Sequence, residues 1–158
     1  LEELIGRIRE NIQFGKLALV RGEAVFRYVH ADSRHGSLVA LSGASIGDPA
    51  FQEIGKNLCM HIVFAKPRYL SKEDVPAEEV EKEREILLAA TENDPRHKRK
   101  PVEIKKKIVE GQLRRFYQTI CLLEQPFVRD EKISVQKYLA KEGKGAKITD
   151  FAYVGLLD

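Results

Sequence analysis

From Ser71 to Ile120 the chain has too few apolar residues to be buried on more than one side. Val80, Ile86 and Leu87 form the thin stripe of a first segment that also carries Glu78, Glu79, Glu81, Glu83 and Glu85. A second segment opens at Pro101 and sets Ile104, Ile108, Leu113 and Phe116 at the three- to five-residue intervals of one helical face. Ser71 and Asp74 have the spacing of a capping box, and the charged stretch 91–100 separates the two segments. Stripes this narrow suit two antiparallel helices that cover each other and project into water. A fold-back at residues 95–96 sets Glu85 near Lys106 and Glu83 near Ile108, so the acidic arm faces Lys105, Lys106 and Lys107. Exposed pairs of that kind contribute only about 0.2–1 kcal/mol each, so they select a register more than they stabilise it. Gly111 inside the second helix costs about 1 kcal/mol relative to alanine, which points to the close approach of another backbone.

The flanking segments have core character. Leu1, Leu4, Ile5 and Ile8 read as a short amphipathic helix over residues 2–10, packed on something downstream. Ile12 to Arg21 and Glu23 to Ala31 read as a hairpin turned at Arg21-Gly22, with Phe26, Tyr28 and His30 sharing one face as core or contact surface. Ser37 to Ser42 reads as a third strand. Gly47-Asp48-Pro49 then opens a helix, Asp48 capping free amides and Pro49 sitting where no N–H is needed. Phe51, Ile54, Leu58, Ile62 and Ala65 are its buried stripe, and Lys66-Pro67 its end. Further on, Ser134 caps a short helix through Tyr138 and Leu139, and Ile148 to Leu156 alternates like a closing strand. The expected fold is α+β: a three- to four-stranded antiparallel sheet with helices packed on one face, built from residues 1–66 and 122–158 and interrupted by a helical hairpin at 67–121.

A chain of 158 residues buries a core without disulfides or structural metal. Lys and Arg number 27 against 24 Asp and Glu, a surplus of three, too slight to make nucleic acid the expected main partner. Arg96-His97-Lys98-Arg99-Lys100 is the one dense basic cluster; without aromatics beside it, it reads first as a solvated hairpin tip, with ribosomal RNA or an acidic protein patch as the alternative. Cys59 and Cys121 sit among apolar residues as buried free thiols, which fits a reducing compartment. No membrane span or signal peptide is legible, and a chain opening on Leu1 reads as a trimmed or processed product. The glycines match no phosphate-binding loop. His30, His35, His61 and His97 are scattered, with His61 expected on a helix flank in a packing or surface role, and the glutamates read as a solvated face. No covalent chemistry, cofactor or metal is expected.

Longer runs carry a resemblance. Cys59-Met60-His61-Ile62, Lys66-Pro67-Arg68-Tyr69-Leu70-Ser71, Val75-Pro76-Ala77-Glu78, Glu81-Lys82-Glu83, Lys107-Ile108-Val109-Glu110-Gly111 and Leu122-Leu123-Glu124-Gln125-Pro126-Phe127 resemble, in order and spacing, the dimerisation region of the elongation factor Ts family. Arg9-Glu10-Asn11-Ile12 and Tyr28-Val29-His30 extend the likeness over nearly the whole chain. The resemblance implies guanine-nucleotide exchange on elongation factor Tu during translation: binding that speeds GDP release without making or breaking a covalent bond. It implies that His30, Val128 and Arg129 touch the third domain of elongation factor Tu, Arg129 standing where other members can carry an apolar residue. It also implies a homodimer through the hairpin, and a location in the cytoplasm or an organellar matrix or stroma. The family's N-terminal helical domain and first sheet half, with its Thr-Asp-Phe-Val wedge, have no counterpart here; Thr149-Asp150-Phe151 reads as a coincidence in the closing strand. The expectation is a piece that docks and dimerises but exchanges nucleotide poorly. A purely structural dimerisation module, or a ribosome-associated one, is the alternative.

Overall fold

The computed structural model describes residues 1–43 and 48–156. Helix α1 spans Glu2–Ile8, strand β1 Ala24–Val29, strand β2 His35–Ser42 and helix α2 Pro49–Ala65. The hairpin helices are α3, Ala77–Asn93, and α4, Val102–Ile120. They are followed by β3, Pro126–Phe127, β4, Asp130–Ser134, α5, Val135–Glu142, and β5, Lys147–Gly155. The main sheet is antiparallel in the order β1-β2-β5, and β3 and β4 form a separate two-stranded ribbon. The fold is α+β, with a helical hairpin between α2 and the ribbon.

Period-two alternation decides which sheet face is covered. Rows Phe26↔Val39↔Phe151 and Ala24↔Leu41↔Ile148 face α2, where Ile54, Leu58, Cys59 and Ile62 are buried against them. Alpha-2 begins and ends as its sequence signals indicate. The Asp48 carboxylate accepts from the Ala50 amide, and Lys66, at φ 46°, turns the chain out of the helix; Gly47 lies outside the described residues. Ser134 likewise caps α5, accepting from the Lys137 amide.

Three expectations are corrected. Residues 12–21 form no strand; β1 hairpins with β2 through the turn at 30–34. Of the apolar residues in 12–21, Val20 is buried while Phe14, Leu17 and Leu19 are exposed, so the segment lacks the buried face that pins a strand. Alpha-1 forms over the expected residues but buries none of them, its Leu4 and Ile8 being exposed. The third concerns the hairpin register. Because α3 runs to Asn93 and α4 starts at Val102, the fold-back is centred near residues 97–98, beyond the point expected. Arg84 of the acidic arm pairs with Glu110, and Thr91 donates to Gln112 at 3.3 Å. Among the described residues no ion pair joins Lys105, Lys106 or Lys107 to α3.

Gly111 also differs from expectation. A Cβ there would meet nothing within 4 Å, so among the described residues no backbone of this chain approaches it closely. The close approach is at Gly55 of α2, where a Cβ would overlap the Phe26 ring of β1.

Candidate functional site

Of the residues implicated by resemblance, His30 lies at the end of β1, and Val128 and Arg129 lie between β3 and β4. His30 follows β1 and is exposed, whereas Phe26 on the same face is buried in the core and Tyr28 is half-buried. The turn beside His30 is tied by Asp32, whose carboxylate accepts from the Arg34 amide at 2.8 Å and lies 2.9 Å from His35 Nδ1. These bonds, the Arg34 amide first, hold the Asp32 carboxyl below its ordinary pKa. The Tyr28 hydroxyl is 3.2 Å from His30 Nδ1, and the His35 ring stacks on Tyr153. Two edge contacts and one stack thus give the His30 imidazole a fixed setting at the sheet's end.

The loop carrying Val128 and Arg129 is held by a buried polar network. His61, on α2, is 1% exposed and Gln125 is 3% exposed. The Val128 amide donates to His61 Nδ1 at 3.2 Å, so Nε2 carries the proton and donates to Gln125 Oε1 at 3.0 Å. The Gln125 amide nitrogen then donates to the Thr119 carbonyl at 2.8 Å and to the Ala65 carbonyl at 3.4 Å. Both carbonyls belong to last helical turns, which have no intrahelical donor left. One side chain therefore closes the ends of α2 and α4 and fixes the loop. Phe127 stacks on Tyr138 at 4.0 Å, and Arg129, half-exposed, reaches Glu53 of α2 at 3.6 Å.

Burial lowers the His61 pKa, the Gln125 bond partly opposing it. The folded protein holds this ring neutral, while the unfolded chain takes up a proton below about pH 6.5. Its contribution to stability is complete above that pH and declines as pH falls from there toward the lowered folded value, with a slope of at most about 1.4 kcal/mol per pH unit. Urea midpoints at pH 7.5 and 5.5 are expected to separate more for the parent than for His61→Gln. Equal separation would mean that His61 is not the titrating group.

The outward side of α2 forms a ridge. Helical spacing puts Gln52, Lys56, Met60, Val63 and Phe64 on it, and Phe64 is 75% exposed. Val128 and Arg129 are tied to the same helix through His61 and Glu53. The Cys59 and Cys121 thiols are pushed up to about 11 by burial, too high for a reactive thiolate. Among the described residues no group of three His, Cys, Asp or Glu side chains could hold a metal. Thr149-Asp150-Phe151 lies in β5, its Thr149 hydroxyl on the Ala40 carbonyl and Phe151 packed on the core.

The hairpin is anchored where its two legs meet the body. Arg68 grips both Glu79 oxygens, at 2.8 and 3.1 Å, and the Tyr69 hydroxyl donates to one of them at 2.7 Å. Arg68, Tyr69 and Leu70 exchange backbone bonds with Ile120, Leu122 and Leu123, so the hairpin's two legs leave the body side by side.

The runs that shape these parts match a known family model, described as Elongation factor TS, over residues 1–156. The chain belongs to the elongation factor Ts family. Among relatives named Elongation factor Ts, that of Acetivibrio thermocellus is 44% identical over 115 residues, covering 71% of this chain and 52% of its own length. That of Deinococcus radiodurans is 40% identical over 134 residues, covering 85% and 47%. That of Treponema pallidum is 37% identical over 155 residues, covering 91% and 51%. The chain therefore spans about half the length of these elongation factor Ts relatives. Sequence reasoning had no local signal for Gln125 as a joint between helices; within the family-like run Leu122 to Phe127 it looked like any other polar residue.

Proposed function

We propose that this chain binds elongation factor Tu and promotes GDP release, supplying a docking face and a dimerisation element rather than the whole exchange machinery. The observation that carries this reading is the α2 ridge. An exposed phenylalanine, Phe64, stands on α2 one turn from His61, whose ring holds the Val128 amide, and Arg129 reaches Glu53 of the same helix, in a chain of the elongation factor Ts family. Large apolar and cationic side chains on a preformed surface are what a protein partner buries with most effect. Exchange by such a surface is a matter of differential binding: it must grip the nucleotide-free partner better than the GDP form. No bond is made or broken, and no cofactor is required. The work is set in the cytoplasm or in an organelle's matrix or stroma; among the described residues no helix is long and apolar enough to cross a membrane.

Co-elution of the chain with elongation factor Tu, and release of a fluorescent GDP from that partner, test the proposal. The parent is expected to co-elute and to stimulate release weakly. His30→Ala combined with Val128→Asp should weaken binding about tenfold or more. Arg129→Glu, on an exposed side chain, is a second variant that leaves the core untouched. Absence of co-elution would overturn docking, and full stimulation would overturn the assignment of a partial machine. A structural dimerisation or ribosome-associated role is the second reading, favoured by exposed Ile86, Val102 and Ile104 on the hairpin. It predicts self-association that survives the docking variants, without partner co-elution.

A further inference from the structure

We infer that the tip of the α3–α4 hairpin is a binding surface for the phosphate backbone of double-helical RNA. From Asp94 to Lys107 the chain carries seven Lys or Arg against two carboxylates, Asp94 and Glu103. That is a surplus of five where the whole chain has a surplus of three, so the rest of the protein is slightly acidic. The positive charge is thus gathered at one protruding end.

The observed register leaves this charge available. Asp94 is committed to its own turn: its carboxylate accepts from the Arg96 amide at 2.9 Å and from the Arg96 guanidinium at 2.8 Å. Lys98, Arg99 and Lys100 are exposed and, among the described residues, have no ion-pair partner. Among the described residues, the pairing with α3 glutamates that would have neutralised Lys105, Lys106 and Lys107 does not form; the salt bridge between the two helices is Arg84 to Glu110. Lys107 is only five residues into α4, roughly 8 Å from its start, so all six cations lie close to the tip.

Their arrangement favours a polyanion over an acidic protein. Three consecutive lysines fan about 200° around α4, and Lys98 to Lys100 leave the turn beside them. A single protein face meets only the subset that points toward it. A nucleic-acid backbone carries charge along its whole length and gains from every cation near it through counterion release. No Phe, Tyr or Trp occurs between Tyr69 and Phe116, so the tip has no platform for stacking unpaired bases. Duplex RNA, met through phosphates and shape, is the form that needs none.

The test is fluorescence anisotropy of a labelled 20-base-pair RNA duplex titrated with the full chain at 50 to 300 mM salt. Binding should fall with salt, with a log-log slope of about −3 to −4 for four neutralised phosphates. Lys98→Glu, Arg99→Glu and Lys100→Glu together should weaken it about tenfold or more. Lys137→Glu, Lys141→Glu and Lys147→Glu, the same charge change on the body, should have a much smaller effect. Lys106→Gln with Lys107→Gln supplies a second tip variant without charge reversal and should flatten the slope. Absence of duplex binding by the parent, a loss in the tip variants no larger than in the body variant, or tighter capture of a poly-glutamate peptide than of the duplex would each overturn the proposal.

Discussion

Gly55→Ala is expected to destabilise the protein by about 3 kcal/mol, which for a domain of this size lowers Tm by about 6–12 °C. The reason is steric. Alpha-2 crosses the sheet so closely that the Phe26 ring occupies the volume where a Cβ would stand, and the atoms met belong to the root of the ring as well as its edge. Phe26 cannot swing aside, because it is buried in the same cluster as Val39, Ile54 and Leu58. The helix must lift from the sheet or the ring must leave its rotamer, and both disturb a close-packed interior. Gly111→Ala is the internal comparison. Its Cβ enters open space, so the higher helix propensity of alanine should stabilise α4 by about 0.5–1 kcal/mol. Thermal unfolding of the two variants should therefore shift in opposite directions. A neutral Gly55→Ala would show that the α2–β1 contact is looser than described.

The second large effect is expected at Gln125. Replacing it by leucine keeps most of the volume but removes the partner of His61 Nε2 and of the Thr119 and Ala65 carbonyls. Each buried group left without a partner costs about 1–3 kcal/mol, giving a loss of about 3–4 kcal/mol after local relaxation. Urea denaturation measures the loss. Limited proteolysis supplies a readout that general destabilisation does not: cleavage should appear first at residues 119–125, where α4 joins the body. Gln125→Glu separates the two functions of the side chain. It still accepts from His61 but cannot donate to either carbonyl, and it should retain only part of the lost stability. If both variants melt with the parent, the helix ends are satisfied by other means.

These two positions mark what could and could not be read ahead. The bounds of α2 were legible because Asp48, Pro49 and the Lys66-Pro67 step act on their immediate neighbours. The hairpin was legible for a similar reason, its narrow stripes and terminal prolines being local patterns. Residues 12–21 misled because apolar residues in an extended run say nothing about whether a second strand edge is within reach. The β3–β4 ribbon passed unnoticed, its five-residue strand Asp130–Ser134 being mostly charged and exposed on the described surface. Of the three residues assigned to the docking face by resemblance, nothing in composition or periodicity marked Arg129 apart from other exposed arginines. The His61–Gln125 joint spans 64 positions, beyond the range of any periodicity.

By itself, the sequence determined that this chain is an α+β protein with a projecting pair of helices, where its main helix starts and stops, and that positive charge is dense near residues 96–107. Caps, prolines and side-chain periods suffice for that, because each is decided within a turn or two of chain. The tertiary structure decided the register of α3 against α4, hence which lysines have no ion-pair partner among the described residues. It also decided which glycine is crowded and which polar side chain joins the hairpin to the body. Those outcomes depend on what distant segments bring to the same place, and the energy that selects them comes from packing between elements rather than from preferences within them.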